Sequence, residues 1–319
     1  MPIKLDKKDK RILYHLDLNA RASNTKIAKA IGLSKDAVAY RIRNLENKGV
    51  IRGYIAVIDS AKLGYTFYRV FLNLMDLTPE KLEGLIGFLK KEKNVWWIAK
   101  LDGAWNFAFS VWVKSNTEFR EFYSRFCEGF KQHVKDRLVC PVTAYKQLNR
   151  SYLLGTEKAP RIESIGGGKQ LAYDETDIEI LKMLSKNARF QLIDIAKRLK
   201  MDSMTIHHRI RKMEEKGIIQ GYKADLNFNL LKKDFYSVKV NVREISQLRE
   251  IESFVKTIPE ATAIIEAVGS YDFEFDLEVE NSERYFEIIG TLEKKFSTIR
   301  EIIYFRVLKN YKVLYMPEA

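Results

Sequence analysis

The chain repeats itself, and the repeat limits what it can fold into. At an offset of 168 residues and with no gap, residues 5–63 align with residues 173–231. Identities include Asp6/Asp174, Asp9/Asp177, Asn19/Asn187, Ala20/Ala188, Arg21/Arg189, Arg41/Arg209, Arg43/Arg211, Glu46/Glu214, Gly49/Gly217 and Tyr54/Tyr222. The register holds to Phe67-Tyr68 against Phe235-Tyr236 and resumes at an offset of 166. There Gly103-Ala-Trp-Asn-Phe107 meets Gly269-Ser-Tyr-Asp-Phe273, and Tyr145-Lys146 meets Tyr311-Lys312. Self-similarity at a fixed period signals a duplicated structural unit. Each copy has a head and a second part. Between the copies lies GTEKAPRIESIGGGKQ, in which Pro160 and three consecutive glycines read as a flexible linker. The expected organisation is a head over 1–64, a second domain over 65–154, a linker over 155–170, a second head over 171–233 and a final domain over 234–319.

Charge follows the same division. The net charge is +13, with +8 on residues 1–64, +5 on 65–168, +5 on 169–233 and −5 on 234–319. The excess sits in the two heads, which is the footprint of a protein that binds a polyanion. No run of about 18 apolar residues predicts a membrane span. The start, MPIKLDKKDK, has no apolar signal region, so a cytoplasmic protein is expected. Cys127 and Cys140 fit a reducing compartment and read as small buried apolar residues.

In the first head, Asp6 caps a helix whose inner face carries Ile12, Leu13 and Leu16. A second short helix covers about residues 26–31. Gly32-Leu33-Ser34 forms a tight turn: Gly32 supplies a positive φ and Ser34 caps a third helix over about 35–48. Val38, Ile42 and Leu45 mark the buried face of that helix, Gly49 ends it, and residues 51–58 read as a strand. This is the order of a helix-turn-helix, whose third helix enters the DNA major groove. The candidate DNA-binding residues are Ser34, Lys35, Tyr40, Arg41, Arg43 and Lys48, and in the second copy Ser203, His207, His208, Arg209, Arg211 and Lys216. Arg43 and Arg211 can donate to phosphate or guanine, and Tyr40, His207 and His208 suit base edges or thymine methyls. Lys200 replaces Gly32 at the turn, and the second recognition helix begins with less charge. The two heads are therefore expected to prefer different half-sites, or the second to bind more weakly.

The second part reads as strand, helix, two strands, helix, strand, over about 67–74, 79–91, 94–101, 105–114, 116–130 and 137–148. The order βαββαβ predicts a ferredoxin-like layer of two helices on an antiparallel sheet. The fold class is thus α+β: two winged-type helix-turn-helix domains alternating with two ferredoxin-like domains. Phe107, Phe109, Val111 and Val113 are expected to face the helices, as are Phe273, Phe275, Leu277 and Val279. On the opposite face the first copy shows Asn106, Ala108, Ser110 and Trp112, whereas the second shows Asp272, Glu274, Asp276 and Glu278. Four acids on one strand face repel unless matched. Lys239 and Arg243 are placed to meet them, and the +5 and −5 totals predict that the two sheet domains face each other.

The stretches LDKKDKRIL and IAKAIGLSKDAVAYRIRNLENKGVIRGYIAVIDSAKLGY, with Gly269-Ser-Tyr-Asp272, resemble the leucine-responsive/asparagine-synthetase regulator (Lrp/AsnC) family, present here as two joined copies. The resemblance implies a helix-turn-helix, a connecting strand and a βαββαβ regulatory domain. It also implies sheet-to-sheet pairing and a small effector, often an amino acid, bound near the domain interfaces. The Gly-x-Tyr-Asp turn belongs to the effector region. Gly269, Tyr271 and Asp272 match it; in the first copy Gly103 matches, but Trp105 and Asn106 depart. The expected partners are double-stranded DNA, an amino-acid effector and a further copy of the chain.

No P-loop, paired-cysteine motif or nucleophile elbow marks an enzyme, so no catalytic residue, metal ligand or cofactor is assigned. His207 and His208 are adjacent on a helix, which is not metal-binding spacing. Two alternatives stand beside the regulator: an architectural DNA-binding protein without effector, and an enzyme similar to the sirohaem decarboxylases, which share this fold. The latter need histidine in the sheet domain, and residues 94–113 contain none.

Overall fold

A computed structural model of the chain describes residues 4–155, 162–269 and 271–317. The first copy runs α1 (Lys7–Leu18), α2 (Asn24–Ile31), α3 (Lys35–Asn47), β1 (Ile51–Ile58), β2 (Thr66–Leu74), α4 (Pro79–Lys91), β3 (Val95–Gly103), β4 (Phe107–Val113), α5 (Asn116–Phe130) and β5 (Val134–Leu148). After β6 (Ile162–Ile165), the second copy repeats the order. It comprises α6 (Glu175–Lys186), α7 (Leu192–Leu199), α8 (Ser203–Glu215), β7 (Ile219–Leu226), β8 (Asp234–Val242), α9 (Leu248–Val255), β9 (Ala261–Ala267), β10 (Phe273–Val279), α10 (Ser282–Lys295) and β11 (Ile299–Val313).

Local chemistry explains the heads. Asp6 accepts from Asp9 N at 2.8 Å while Asp9 accepts back from Asp6 N, a capping box repeated at Asp174 and Asp177. Ser23 caps α2 and Ser34 caps α3. Gly32 ends α2 with φ 68°, and Lys200 ends α7 with φ 53°, so the turn survives the loss of glycine. Val38, Ile42 and Leu45 are buried, as are Ile206, Ile210 and Met213.

The strand after each recognition helix is completed by the other copy. β1 and β7 pair antiparallel, Tyr54 opposite Ala224 and Ala56 opposite Tyr222, as a two-stranded ribbon. The remaining strands do not form two separate layers. They run β2-β4-β3-β11-β8-β10-β9-β5, and β5 pairs again with β2, closing an eight-stranded antiparallel barrel. Each βαββαβ order is as the sequence predicts, but the two sheets fuse edge to edge. The reason is the length of the last strands. β5 and β11 have 15 residues each, while β2 and β8 have nine. The first half of β5 pairs with β2 and its last residues with β9; β11 likewise pairs with β8 and then β3. An overhang of this kind presents unpaired backbone groups, which the other copy's sheet satisfies. Helices α4 and α5 pack on Phe107, Phe109, Val111 and Val113, while α9 and α10 pack on Phe273, Phe275, Leu277 and Val279.

The expected linker is not wholly irregular. Residues 162–165 form β6, which adds to the end of β5, and Glu163 is buried within 3.5 Å of Lys223. Residues 156–161 lie outside the described residues.

The barrel interior is partly ionic. Arg69 on β2 donates to Glu274 on β10, and the Lys239 ammonium on β8 lies 2.8 Å from the same carboxylate. Arg150, just after β5, holds Glu278. Two of the four acids, Glu274 and Glu278, are thus met by arginines of the first copy, in the sense the opposite charge totals predict, and Lys239 of the second copy joins at Glu274. Arg243 is a correction: it is exposed and donates to the Ser297 carbonyl at 2.8 Å, because it stands past the end of β8. Arg69 and Lys239 hold the Glu274 carboxyl below its ordinary range despite burial. Burial pushes Asp276 up to about 6, with Arg69 opposing and Glu274 adding to the rise; Lys239 and Tyr145 are also near. A raised acid favours folding while protonated and opposes it once ionised. Stability contributed at this position should therefore fall as pH rises from about 4 to about 6, by roughly 3 kcal/mol. Asp276→Asn removes that loss. Urea unfolding at pH 7.5 should show the variant to be the more stable protein, with the difference shrinking towards pH 4.

Candidate nucleic-acid interface and effector turn

The outer faces of α3 and α8 carry Lys35, Tyr40 and Arg43, and Ser203, His207, His208 and Arg211, all exposed. Ser34 is exposed and spends its hydroxyl on the Ala37 N–H. Lys48 and Lys216 are exposed at the C-caps of these helices. Tyr40 is 67% exposed, and Met204, opposite Asp36 in the alignment, is 74% exposed. Uncovered apolar side chains beside arginine on a recognition helix suit a groove containing thymine methyls. Arg211 pairs with Glu215 at 2.9 Å in solvent, a contact that a phosphate can replace at little cost.

Arg41 and Arg209 have partners inside their own heads. Arg41 donates to Asp6 and Asp9, both at 2.7 Å, and Arg209 donates to Asp174 and Asp177 at 2.8 and 2.9 Å. Both guanidiniums are clamped on the capping box of the head's first helix. Their side chains lie near the edge of the buried face and turn back into the head. These pairs hold the recognition helix against the first helix of its head.

Other identities of the repeat have the same explanation. Ala20 N donates to Tyr222 O at 2.8 Å, and Ala188 N donates to Tyr54 O at 2.7 Å. The Arg189 guanidinium lies 3.9 Å from the centre of the Tyr54 ring, and Arg21 lies 4.8 Å from that of Tyr222. Tyr54 and Tyr222 donate to Glu46 and Glu214 at the ends of the recognition helices. Each head is docked reciprocally onto the other copy's ribbon strand. The retained residues fix the two recognition helices in space, whereas outward positions have diverged: exposed Lys35 and Tyr40 stand against Ser203 and His208, and half-buried Ala39 against exposed His207.

At the barrel end remote from the ribbon, the two Gly-containing turns meet. Trp105 Nε1 points at Tyr271 Oη at 3.4 Å, and the Lys239 ammonium lies 5.3 Å from the centre of the Tyr271 ring. Gly103 has φ 122°, and a Cβ there would come within 2.7 Å of the Tyr304 carbonyl oxygen. At Gly269 a Cβ would meet Cys140 Sγ at 2.9 Å. Asp272 accepts from Val242 N at 2.9 Å, and Asn106 makes the matching bond with Leu74 N at 2.8 Å. The Asp/Asn difference thus preserves one structural bond. Asp272→Asn should leave thermal stability within about 0.5 kcal/mol, whereas Asp272→Ala should cost about 1 kcal/mol in thermal unfolding. The crevice beside this turn, lined by Cys140, Gly269, Tyr271 and Asp272, measures only about 10 Å³.

Both heads match the description of winged helix-turn-helix DNA-binding domains, over residues 5–52 and 173–220. Geometry and match together define a DNA-binding protein. The HTH-type transcriptional regulator LrpA of Pyrococcus abyssi is 35% identical over 144 residues, which are 45% of this chain and 99% of that protein. The transcriptional regulator AzlB of Bacillus subtilis is 32% identical over 123 residues, 38% of this chain and 78% of that one. The chain belongs to the Lrp/AsnC family of transcriptional regulators, with the family's unit present twice. Its macromolecular partner is double-stranded DNA. The crystal structure of the siroheme decarboxylase NirDL has the same fold at full length: TM-score 0.66, 15% identity, 98% of this chain and 94% of that one.

Proposed function

We propose that the chain is a transcriptional regulator that acts as a dimer within one polypeptide and reads two non-identical half-sites. The observation that carries this is the pairing of fixed scaffold with diverged surface: Arg41 and Arg209 lock both recognition helices, while Arg43, Arg211, Tyr40, His207 and His208 face outward. Joining the heads raises the effective concentration for the second binding event. Lys35, Lys48, Ser203 and Lys216 supply further backbone contacts, with Ser34 at the helix start. Binding selection from random duplexes, with and without a panel of amino acids, tests the reading. Two discrete half-sites about one helical turn or a multiple apart are expected. Broad, uniform protection in a footprint would instead identify an architectural protein.

The effector reading rests on Gly269, Tyr271 and Asp272, with Gly103 and Asn106 at the equivalent turn. The small crevice there leaves room for a ligand only when a second chain completes the site, so effector binding and oligomerisation are coupled in this proposal. No helix among the described residues is long and apolar enough to cross a membrane; a cytoplasmic location is part of the proposal because a regulator works beside DNA.

A second reading follows from the full-length likeness to a decarboxylase. Against it, residues 94–113 contain no histidine, and none of the chain's four histidines lines the cavity inside the molecule. We therefore assign no enzymatic activity. An absorbance titration with an iron tetrapyrrole should give no saturable spectral change; a stoichiometric one would reinstate the enzyme.

A further inference from the structure

We propose that the cavity between the β1–β7 ribbon and the mouth of the barrel is a binding site for a small amphiphilic amine, a flat apolar or aromatic body carrying one ammonium group. The cavity measures about 220 Å³; an apolar cavity of about 150 Å³ is enough to hold benzene. Its barrel wall is aromatic: Phe67, Trp96, Trp97, Trp112 and Tyr145 all line it. Trp96 stacks on Trp112 with ring centres 5.2 Å apart, and Phe67 stands edge-on to Trp96. The roof is the ribbon, through Ile55, Val57 and Leu226.

The polar groups on the wall select the ligand. Three guanidiniums reach the cavity and each has its own carboxylate. Arg52 lies 2.5 Å from Asp225, Arg69 is paired with Glu274, and Arg150 holds Glu278 through two bonds of 2.9 Å. Asp276 has no guanidinium of its own: Arg69 and Lys239 lie near it but pair with Glu274. Asp276 is 2% exposed, and its Oδ1 has no hydrogen-bond partner among the described residues. Trp96 Nε1, on the same wall, is also buried and unpartnered among them. A buried acceptor without a donor is costly, and a buried carboxylate whose nearby cations are shared with another acid is only partly compensated. An ammonium satisfies Asp276, and a hydroxyl or carbonyl oxygen on the ligand satisfies Trp96. A ligand that also carries a carboxylate is disfavoured, because every cation on the wall already has an acid. The site therefore prefers an amine to the corresponding amino acid. Its place differs from the Gly-containing turns, which lie at the other end of the barrel.

The ribbon joins both heads, so occupation of this cavity bears on the strands that carry them. The binding claim needs no DNA, and its failure would leave the DNA-binding reading untouched.

Tyramine is a suitable probe, since it has one ammonium, one ring and one hydroxyl. Three of the four tryptophans line the cavity, so intrinsic fluorescence reports occupancy. Saturable quenching by tyramine is expected at pH 7.5. Its alcohol analogue, 4-hydroxyphenylethanol, and tyrosine should each bind at least tenfold more weakly to the same unmodified protein. Asp276→Asn should lose at least tenfold in tyramine affinity while melting no lower than the parent, which separates lost binding from lost folding. Equal affinity for tyramine and the alcohol, undiminished binding by Asp276→Asn, or no saturable response to tyramine would each overturn the proposal.

Discussion

Arg150→Ala should destabilise the protein by about 3–5 kcal/mol, the range for removing one partner of a buried ion pair. Arg150 donates through Nε and Nη2 to Glu278 and through Nη1 to Asp17 at 2.8 Å, while its backbone N donates to Asp17 at 2.7 Å. The Asp17 and Glu278 side chains are 0% and 1% exposed. Without the guanidinium, two carboxylates remain in the interior. Lys223, 3.6 Å from Asp17, and the Tyr152 hydroxyl on Glu278 offset only part of the loss. Arg150→Lys should recover less than half, because an ammonium cannot span both acids in the fork geometry of arginine. Equilibrium denaturation measures this through the midpoint, with the slope unchanged. A loss below about 1 kcal/mol would show that the acids are protonated or hydrated in the folded state. The penalty is specific to one half of the molecule: the positions equivalent to Asp17, Arg150 and Glu278 are Ser185, Met316 and Trp112. The duplicated unit has become ionic on one side and uncharged on the other.

The second large effect concerns DNA. Arg43→Ala combined with Arg211→Ala should weaken binding to the selected duplex by about a hundredfold to ten-thousandfold, since one such contact contributes about 1–3 kcal/mol. If both side chains contact phosphate, the slope of log affinity against log salt should fall by about two. If they read guanine, the loss should fall mainly on the specific duplex and the slope should move less. Thermal stability should hardly change, because both side chains are exposed. Arg41→Ala should give the reverse pattern, with a loss of about 1 kcal/mol in head stability and a smaller effect on DNA. Unchanged affinity in the Arg43/Arg211 double variant would remove these helices from the interface. Comparing each single variant ranks the two heads, which the diverged surfaces predict to be unequal.

Much of this architecture was legible from local signals. The 3.6-residue spacing of Val38, Ile42 and Leu45, the caps at Asp6 and Ser34, and Pro79 at a helix start are short-range features, and each led to the right element. Lys200 could be placed in a left-handed turn because alignment with Gly32 showed where the turn must be. The barrel was not legible, because closure depends on pairs such as Val142 with Ala267, far apart in sequence. The signal available was the uninterrupted length of the last strand in each copy. The ion pairs of Arg41 were hidden for a related reason. Helical spacing puts it at the boundary of the exposed face, and only the three-dimensional position of α1 shows two aspartates waiting for it. The charge totals did carry long-range information, because Arg69 and Arg150 of one copy neutralise acids of the other. Lys239, legible from its strand position, does meet Glu274, but the partners from the other copy could not be assigned from sequence, and Arg243, near in the chain, points elsewhere. β6 was hidden because Ile162–Ile165 is flanked by Pro160 and three glycines, so composition pointed to free chain.

The crossing of β5 and β11 settles which halves can pair within one barrel. A cell that holds several single-unit relatives risks forming mixed pairs, in which a head of one specificity is yoked to a head of another. Here both sockets for a foreign terminal strand are already occupied by the chain's own. To swap halves with a relative, the molecule would have to open two ladders and expose Arg69, Glu274 and Lys239 at once. The combination of specificities is therefore set at translation, once per polypeptide, and is insulated from the concentrations of its kin.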